Sequence, residues 1–217
     1  VQIGRFLTEE GVKAVVVACN TASSVALPDL ATLPVPVWGV LEPGVAAARA
    51  ASRGGTVGVV GTRGTVASGA YQGRLEAAGL SVWARACPLF VPIVEEGLAD
   101  SEDAAVMVRH YLAGRPDLDA LILGCTHYPL LAPLIAAELG DGVRLVDSAE
   151  VTADTVAAGL AALQLLNQRP HQGSVTHYVT GDPASYQHTS RVIGGVEGEI
   201  RFLPVEQLNR MTERAAR

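Results

Sequence analysis

Short apolar runs that alternate with helical patterns constrain the fold of this chain most strongly. The run at 14–18 is Ala-Val-Val-Val-Ala, and such a continuously apolar run is typical of a strand covered on both faces. Comparable runs recur along the sequence, and helical patterns separate most of them. Strands are predicted at residues 14–18, 35–40, 56–60, 81–86, 120–123, 143–146, 175–179 and 200–203. This order predicts an α/β protein whose parallel sheets carry helices on both faces.

Polar motifs follow most of the predicted strands. Helices are predicted at 2–9, 45–51, 66–78, 102–113, 130–139 and 151–166, and a further helix is expected to open after Cys19. In parallel α/β sheets, ligands bind beyond the carboxyl ends of the strands. We therefore expect the polar motifs to face one kind of crevice.

The composition excludes several classes of partner. About half of the residues are hydrophobic, at 49%, and the net charge of −6 argues against a nucleic-acid surface. No apolar stretch approaches the ~18 residues that a bilayer span needs. The sequence opens without a signal-peptide pattern, and three cysteines, an odd number, favour reduced thiols in the cytoplasm.

An internal near-repeat is the most informative feature for function. Residues 13–21 align with residues 119–127, and in each copy a buried strand ends at a small residue followed by cysteine and then polar residues. The two cysteines are Cys19 and Cys125. Because about a hundred residues separate them, each copy fits its own α/β lobe. Two facing lobes would put the thiols on opposite sides of one cleft.

The position of each cysteine favours acid/base chemistry. A cysteine at a helix N-terminus meets the positive end of the helix dipole, which favours its thiolate. One thiolate and one thiol on opposite sides of a carbon can remove a proton from one face and add one to the other, which is racemisation. A cysteine after a buried strand is commonly just a small core residue. The two matched copies favour catalysis for Cys19 and Cys125. Cys87 has neither a matching copy of the strand and turn nor polar residues after it, and it is interpreted as structural.

The residues around the two cysteines resemble the signature segments of bacterial glutamate racemases. Residues 18–23 read Ala-Cys-Asn-Thr-Ala-Ser, and residues 124–129 read Gly-Cys-Thr-His-Tyr-Pro. The resemblance covers nearly the whole chain. Further segments that are similar to that family, in the same order, are 42–44, 61–65, 87–92 and 180–183.

The resemblance implies a set of site residues. Cys19 and Cys125 would be the acid/base residues, one for each enantiomer. His127 would bind substrate and assist Cys125, and Glu95 matches a carboxylate that assists catalysis, although the adjacent Glu96 fits the same assignment. Three residues would bind the amino-acid head of the substrate and two more would hold it from the second lobe: Asn20, Thr21 and Thr126, and Thr62 and Thr65.

The resemblance also implies an architecture and a biological role. The fold would be two α/β lobes related by a pseudo-twofold axis, with the active site in the cleft between them. The first lobe would contain residues 1–41 with 150–217, and the second residues 42–149. The enzyme would need no cofactor or metal and would supply D-glutamate for peptidoglycan in the cytoplasm. Because family members commonly form dimers, a homodimer is expected.

One departure from the family pattern stands out. Family members open with a strand that ends in Asp-Ser-Gly, and this tripeptide does not occur here. We hypothesise that the sequence is a fragment or a truncated gene product. It would then lack an opening strand, a catalytic aspartate beside the first cysteine and part of the substrate clamp, and it would fold poorly or be inactive.

Other chemistries fit the sequence less well. A pyridoxal-phosphate racemase needs a lysine for its Schiff base, and the only lysine, Lys13, precedes its strand instead of following it. No His, Asp or Glu spacing resembles a metal-ligand set. Cys-His hydrolysis with His127 as base would leave the second cysteine segment without a role. Aspartate or hydantoin racemisation uses the same paired cysteines and stays open, as does a truncated form that binds ligand without turnover.

Overall fold

The computed structural model describes residues 1–168 and 173–215. Within that part of the chain, eight strands form three sheets in which every pairing is parallel. The strands are β1 (Val15–Val17), β2 (Val37–Gly39), β3 (Thr56–Gly61), β4 (Ser81–Ala86), β5 (Leu118–Gly124), β6 (Arg144–Asp147), β7 (Thr176–Val179) and β8 (Glu199–Phe202). All eight predicted strands are therefore confirmed, with small differences at their ends.

Helices connect these strands. They are α1 (Gln2–Glu9), α2 (Asn20–Leu30), α3 (Leu41–Ala51), α4 (Arg63–Ala67), α5 (Ala70–Ala77), α6 (Phe90–Glu95), α7 (Glu102–Leu112), a 3₁₀ turn (Tyr128–Leu131), α8 (Ala132–Leu139), α9 (Ser148–Ala162), α10 (Pro183–Val192) and α11 (Val205–Ala215). Of these, α6, α10 and α11 were not predicted from the sequence. No helix in the described ranges has the length and apolar character needed to cross a bilayer.

The helix predicted at 66–78 is instead two helices, α4 and α5. Gly69 interrupts it with φ of +65°, in the left-handed region where residues with a Cβ are disfavoured. The Ser68 hydroxyl then accepts a hydrogen bond from the Ala70 backbone N–H at 3.3 Å. The break turns the chain between the two helices. It leaves the short α4 at the carboxyl end of β3, where two of the predicted site threonines lie.

A four-stranded sheet in the order β4-β3-β5-β6 forms the centre of the molecule. Side chains on β5 alternate between its two faces. Leu121 and Leu123 pack into the core formed with α6, α7 and α8, while Ala120 and Ile122 pack into the core formed with α3 and α5. Helices therefore cover both faces of this sheet, as predicted from its continuously apolar strands.

The two ends of the chain pack together outside this central sheet. Helix α1 contacts α11, and Phe6 shares a small buried cluster with Leu203 and Leu208. The Phe6 ring also meets the Tyr178 ring edge-on, with centroids 4.7 Å apart. This contact fits a first lobe built from both chain ends. The lobe boundaries at 41/42 and 149/150 stay a prediction.

Candidate active site at the carboxyl ends of β1, β3 and β5

Cys19 lies directly before helix α2 and caps its first turn. Its backbone is extended, with φ of −78° and ψ of 124°, and its Sγ accepts a hydrogen bond from the Ala22 backbone N–H at 3.5 Å. The side chain is exposed. The chain folds this way locally because β1 is followed by a small residue and the cap position suits a side chain that can accept a helix N–H. The thiol therefore sits at the positive end of α2, open to a ligand.

Cys125 follows the last residue of β5 and is only 8% exposed. Burial raises the pKa of its thiol. Hydrogen bonds from the backbone N–H groups of His127 and Thr126 favour the thiolate and lower the pKa, but the effect of burial is larger. The expectation of a lowered pKa is therefore wrong for Cys125 in this structure. A negative charge on Cys19 also raises the pKa of Cys125.

His127 links Cys125 to a carboxylate. Its Nδ1 is 3.8 Å from Cys125 Sγ and 3.2 Å from Thr126 Oγ1, while its Nε2 is 3.1 Å from Glu95 Oε1. A carboxylate only accepts, so Nε2 carries the proton donated to Glu95, which leaves Nδ1 able to accept the proton of the thiol. The Glu96 side chain has no hydrogen bond or ion pair with any residue that the structure describes. Of the two adjacent acids, the structure brings Glu95 to the site.

Three threonine hydroxyls meet where α2 approaches α4. Thr21 Oγ1 lies 2.8 Å from Thr62 Oγ1 and 3.0 Å from Thr65 Oγ1, and the last two are 3.1 Å apart. Thr62 caps α4 by accepting the Thr65 backbone N–H at 3.2 Å. Gly64 permits this approach, since a Cβ there would lie 3.0 Å from the Thr21 methyl carbon. The threonines predicted from distant parts of the sequence thus form one hydroxyl cluster.

The Asn20 side chain points into the protein and is 2% exposed. The Tyr71 hydroxyl donates to Asn20 Oδ1 at 2.6 Å, and Asn20 Nδ2 donates to Ser148 Oγ at 3.3 Å. Neither Tyr71 nor Ser148 was predicted from the sequence. Ser148 follows β6 and begins α9, so the rule that strand ends line the crevice could have found it. Tyr71 lies inside a helix and gives no such local signal.

Cys87 also follows a strand, β4, but its thiol differs from those of Cys19 and Cys125. It is fully buried, and burial raises the pKa of its thiol to about 12. A thiol of this kind stays protonated and unreactive near neutral pH. Its structural interpretation agrees with the structure.

An apolar cavity of about 410 Å³ adjoins the site between β1 and α9. Its lining includes Val16, Ala18, Val40 and Thr126. Because a carboxylate is costly to bury without hydrogen-bond donors, this cavity does not suit the charged ends of an amino acid. The hydroxyl cluster and the N-terminus of α2 beside Cys19 suit them better. Cys125 is followed by a 3₁₀ turn that begins only at Tyr128, so the expected helix N-terminus at this cysteine is not found.

Comparison with known proteins gives the family. The family model of the Asp/Glu/Hydantoin racemases matches residues 2–156. A glutamate racemase of Thermus thermophilus is 53% identical over 209 residues, a match that covers 95% of this chain and 78% of that protein. This chain thus matches about four-fifths of the length of that relative.

Solved structures agree with the sequence comparison. Glutamate racemase from T. thermophilus in complex with β-chloro-D-alanine superposes with a TM-score of 0.87 at 51% identity, covering 95% of this chain and 78% of that one. A glutamate racemase isoform from Bacillus anthracis gives a TM-score of 0.88 at 35% identity, with 94% and 78% covered. The predicted two-lobe parallel α/β fold is confirmed. The chain therefore belongs to the Asp/Glu/Hydantoin racemase family and, within it, to the glutamate racemases, which are isomerases.

Proposed function

We propose that this chain interconverts L- and D-glutamate by proton transfer at the α-carbon, without a cofactor, with Cys19 and Cys125 as the acid/base pair. One observation carries the proposal. The two thiols follow strands of two different parallel sheets, and Thr21, two residues after Cys19, bonds Thr62 and Thr65 at the end of β3, the strand beside the one that leads to Cys125. Such a pair matches a reaction that needs one base and one acid.

The proposed reaction breaks the Cα–H bond on one face of the substrate and forms a new one on the other. The thiolate of one cysteine takes the α-proton and becomes a thiol, and the thiol of the other cysteine gives its proton and becomes a thiolate. In the opposite direction the roles exchange. Because burial raises the pKa of Cys125, this thiol needs a base to ionise it. His127 Nδ1, with its Nε2 held by Glu95, is placed to accept that proton.

The substrate carboxylates would be held by hydroxyl and backbone N–H donors. The Thr21, Thr62 and Thr65 hydroxyls now bond one another, and a substrate carboxylate would take up the Thr21 and Thr62 hydroxyls in charge-assisted bonds, which are stronger. Thr65 is fully buried, so we assign it the role of holding the other two hydroxyls in place. The first N–H groups of α2 have no partner within the helix and favour an anion. Because the Asn20 side chain is buried and hydrogen-bonded to Tyr71 and Ser148, we assign its substrate contact to its backbone N–H. Thr126 would add a hydroxyl from the other side.

The biological role that we propose is supply of D-glutamate for peptidoglycan synthesis in the cytoplasm. The names of the relatives support the substrate, and three free cysteines agree with a reducing compartment. A homodimer is part of the proposal because of the family resemblance alone.

Chiral chromatography of amino acids incubated with the purified chain tests the proposed substrate. D-glutamate should yield L-glutamate, while D-aspartate and a hydantoin should give less product at equal concentration. Faster turnover of D-aspartate or of the hydantoin would overturn the glutamate assignment. Binding of D-glutamate with no product from any of the three would overturn catalysis by this chain.

A further inference from the structure

A buried chain of hydrogen bonds connects the two cysteine segments. The Tyr71 hydroxyl donates to Asn20 Oδ1 at 2.6 Å, Asn20 Nδ2 donates to Ser148 Oγ at 3.3 Å, and the Ser148 hydroxyl donates to the Leu123 carbonyl at 3.2 Å. Asn20 is the neighbour of Cys19, and Leu123 lies two residues before Cys125. The chain of bonds thus runs from the start of α2 to the end of β5.

We infer that Tyr71 and Ser148 are positioning residues that, through Asn20, fix the two cysteine segments relative to each other. The inference rests on the proposed two-cysteine reaction. Tyr71 is 0% and Ser148 is 3% exposed, so neither side chain can touch a substrate. Their effect on the reaction must pass through the residues that they hold.

The direction of every bond in this network is determined by chemistry. The Leu123 carbonyl can only accept, so the Ser148 hydroxyl donates to it and accepts from the Asn20 amide. The Asn20 oxygen then receives the Tyr71 hydroxyl. Burial raises the pKa of Tyr71, so its hydroxyl remains a donor over the whole physiological range. Since all of these polar atoms are buried, losing one partner leaves another unsatisfied, and the network resists displacement of Asn20.

Two glycines border Tyr71, and Gly44 is the one that leaves space for its hydroxyl. A Cβ on Gly44 would lie 3.2 Å from the Tyr71 hydroxyl oxygen and 3.8 Å from Ser148 Cβ. A Cβ on Gly124 would lie 3.6 Å from Tyr71 Cε2 and 2.7 Å from the Val60 carbonyl oxygen. The network thus gives a physical reason why position 44 is a glycine. The proposed reaction alone does not explain a glycine there.

Accurate placement matters because the two thiols must face opposite sides of one carbon. A displacement of about 1 Å at a reacting group can cost roughly 10²-fold in rate. Loosening Asn20 would let the start of α2, and Cys19 with it, move relative to Cys125. Substrate binding depends on many other donors and should change less.

The first test compares Tyr71→Phe and Ser148→Ala with Tyr111→Phe. Tyr111 is a matched control because it is 9% exposed, belongs to the core on the other face of the same sheet and loses a hydroxyl that accepts from the Leu89 N–H at 3.3 Å. We expect kcat to fall by roughly 10-fold or more in the first two variants, with KM changed less than about 2-fold and kcat unchanged in Tyr111→Phe. An unchanged kcat in Tyr71→Phe, or an equal loss in Tyr111→Phe, would overturn the inference.

A double-mutant cycle tests whether Tyr71 acts through Asn20. If it does, Tyr71→Phe should have little further effect on kcat once Asn20→Ala has removed the amide. Losses in kcat that multiply as if the two positions were independent would contradict a positioning role.

Thiol alkylation separates failure of this inference from failure of the proposed function. Iodoacetamide labelling, followed peptide by peptide with mass spectrometry, reports Cys19 and Cys125 without any turnover. Tyr71→Phe should change the ratio of the two labelling rates several-fold, and Tyr111→Phe should leave it unchanged. If the wild-type chain does not racemise glutamate but this ratio shifts as expected, the reaction is wrong and the positioning stands. An unchanged ratio in Tyr71→Phe would overturn the positioning itself.

Discussion

At the scale of single residues, the two cysteines have different environments. Cys19 is exposed and caps a helix, whereas Cys125 is almost fully covered and has a raised pKa. Only Cys125 has a histidine beside it, among the residues that the structure describes, and that histidine is in turn held by a carboxylate. The asymmetry is understandable physically: the thiol that burial keeps protonated is the one that has a base to ionise it.

Replacing each of the two neighbouring acids by alanine tests whether Glu95 is the carboxylate that holds His127. Glu95→Ala should lower kcat/KM by roughly 10-fold or more, because His127 loses the group that fixes its proton on Nε2. Glu96→Ala is the control and should leave kcat/KM unchanged. Both measurements use the same racemisation assay. The opposite ranking would place the functional carboxylate at Glu96.

The raised pKa of Cys125 predicts a pH dependence of labelling. A raised pKa means that the thiolate forms only at higher pH, so the labelling rate of Cys125 should still be rising above the ordinary thiol pKa of about 8.5. Iodoacetamide labelling rates at Cys125, measured by mass spectrometry from about pH 6 to about pH 10, would show this. A plateau reached well below about pH 8 would contradict a buried, protonated thiol.

At the scale of elements, the site depends on close contact between β3 and β5. Gly61 pairs with Gly124 at their carboxyl ends, and both strands end in a small residue before the functional segment. The repeated motif made the small residue and cysteine at the ends of β1 and β5 predictable from sequence, and the family resemblance indicated the threonines that follow β3. The hydroxyl cluster and the Tyr71 network were not predictable, since the bonds that link their separate segments join residues 41 to 128 positions apart. Only the packed fold brings such residues together.

Gly124→Ala tests the contact between β3 and β5. The new Cβ would lie 2.7 Å from the Val60 carbonyl oxygen, so the backbone must shift, and we expect destabilisation of about 1–3 kcal/mol in urea unfolding. Gly73→Ala is the matched control. Gly73 lies in α5, where an added Cβ would meet nothing within 4 Å, and alanine there should stabilise the protein by ~0.5–1 kcal/mol. Equal effects of the two substitutions would contradict the described contact.

Asp119 fixes the other end of β5 to the turn before β3. Its carboxylate accepts hydrogen bonds from the backbone N–H of Gly55 at 2.8 Å and of Arg53 at 2.7 Å, and these hydrogen bonds lower its pKa to about 2. A lowered folded-state pKa contributes stability that is present above the unfolded pKa of about 3.9 and is lost as the pH falls through the folded pKa. The carboxylate should therefore stabilise the protein at neutral pH.

Asp119→Asn tests this contribution. The urea midpoint of the variant should lie below that of the wild type at neutral pH, and the difference should shrink as the pH approaches the folded pKa of about 2. Glu102→Gln is the control, because Glu102 is a highly exposed partner of Arg109 and such surface pairs contribute little. A difference between Asp119→Asn and wild type that stays constant with pH would contradict the role of the charge.

At the scale of the whole molecule, the central architecture was predictable from sequence and the periphery was less so. Most strands were recognisable by their β-branched and apolar residues, which are continuous in β1 and interrupted by polar residues in others such as β8. Helices α6 and α10 were not recognised because proline begins or interrupts them, and α11 was not recognised because its apolar residues are few. The pairing of the two chain ends through Phe6 and Leu203 depends on contacts that no local pattern encodes.

The proposed reaction requires two thiols on opposite sides of one carbon that exchange roles in a reversible proton transfer. Each thiol carries a single proton, so the proton removed from the substrate stays on one cysteine while the product receives a proton from the other. In D₂O, the product enantiomer should therefore carry deuterium at the α-carbon from the first turnover, while the remaining substrate keeps its original hydrogen.

The most direct test is NMR of the α-proton of D-glutamate incubated in D₂O with the wild-type chain and with Cys19→Ser, Cys125→Ser and Cys87→Ala. We predict deuterated L-glutamate beside undeuterated D-glutamate at low conversion for the wild type and for Cys87→Ala, and no L-glutamate for either serine variant. L-glutamate that retains the original α-hydrogen, or racemisation that survives loss of Cys19 or Cys125, would contradict the two-thiol mechanism.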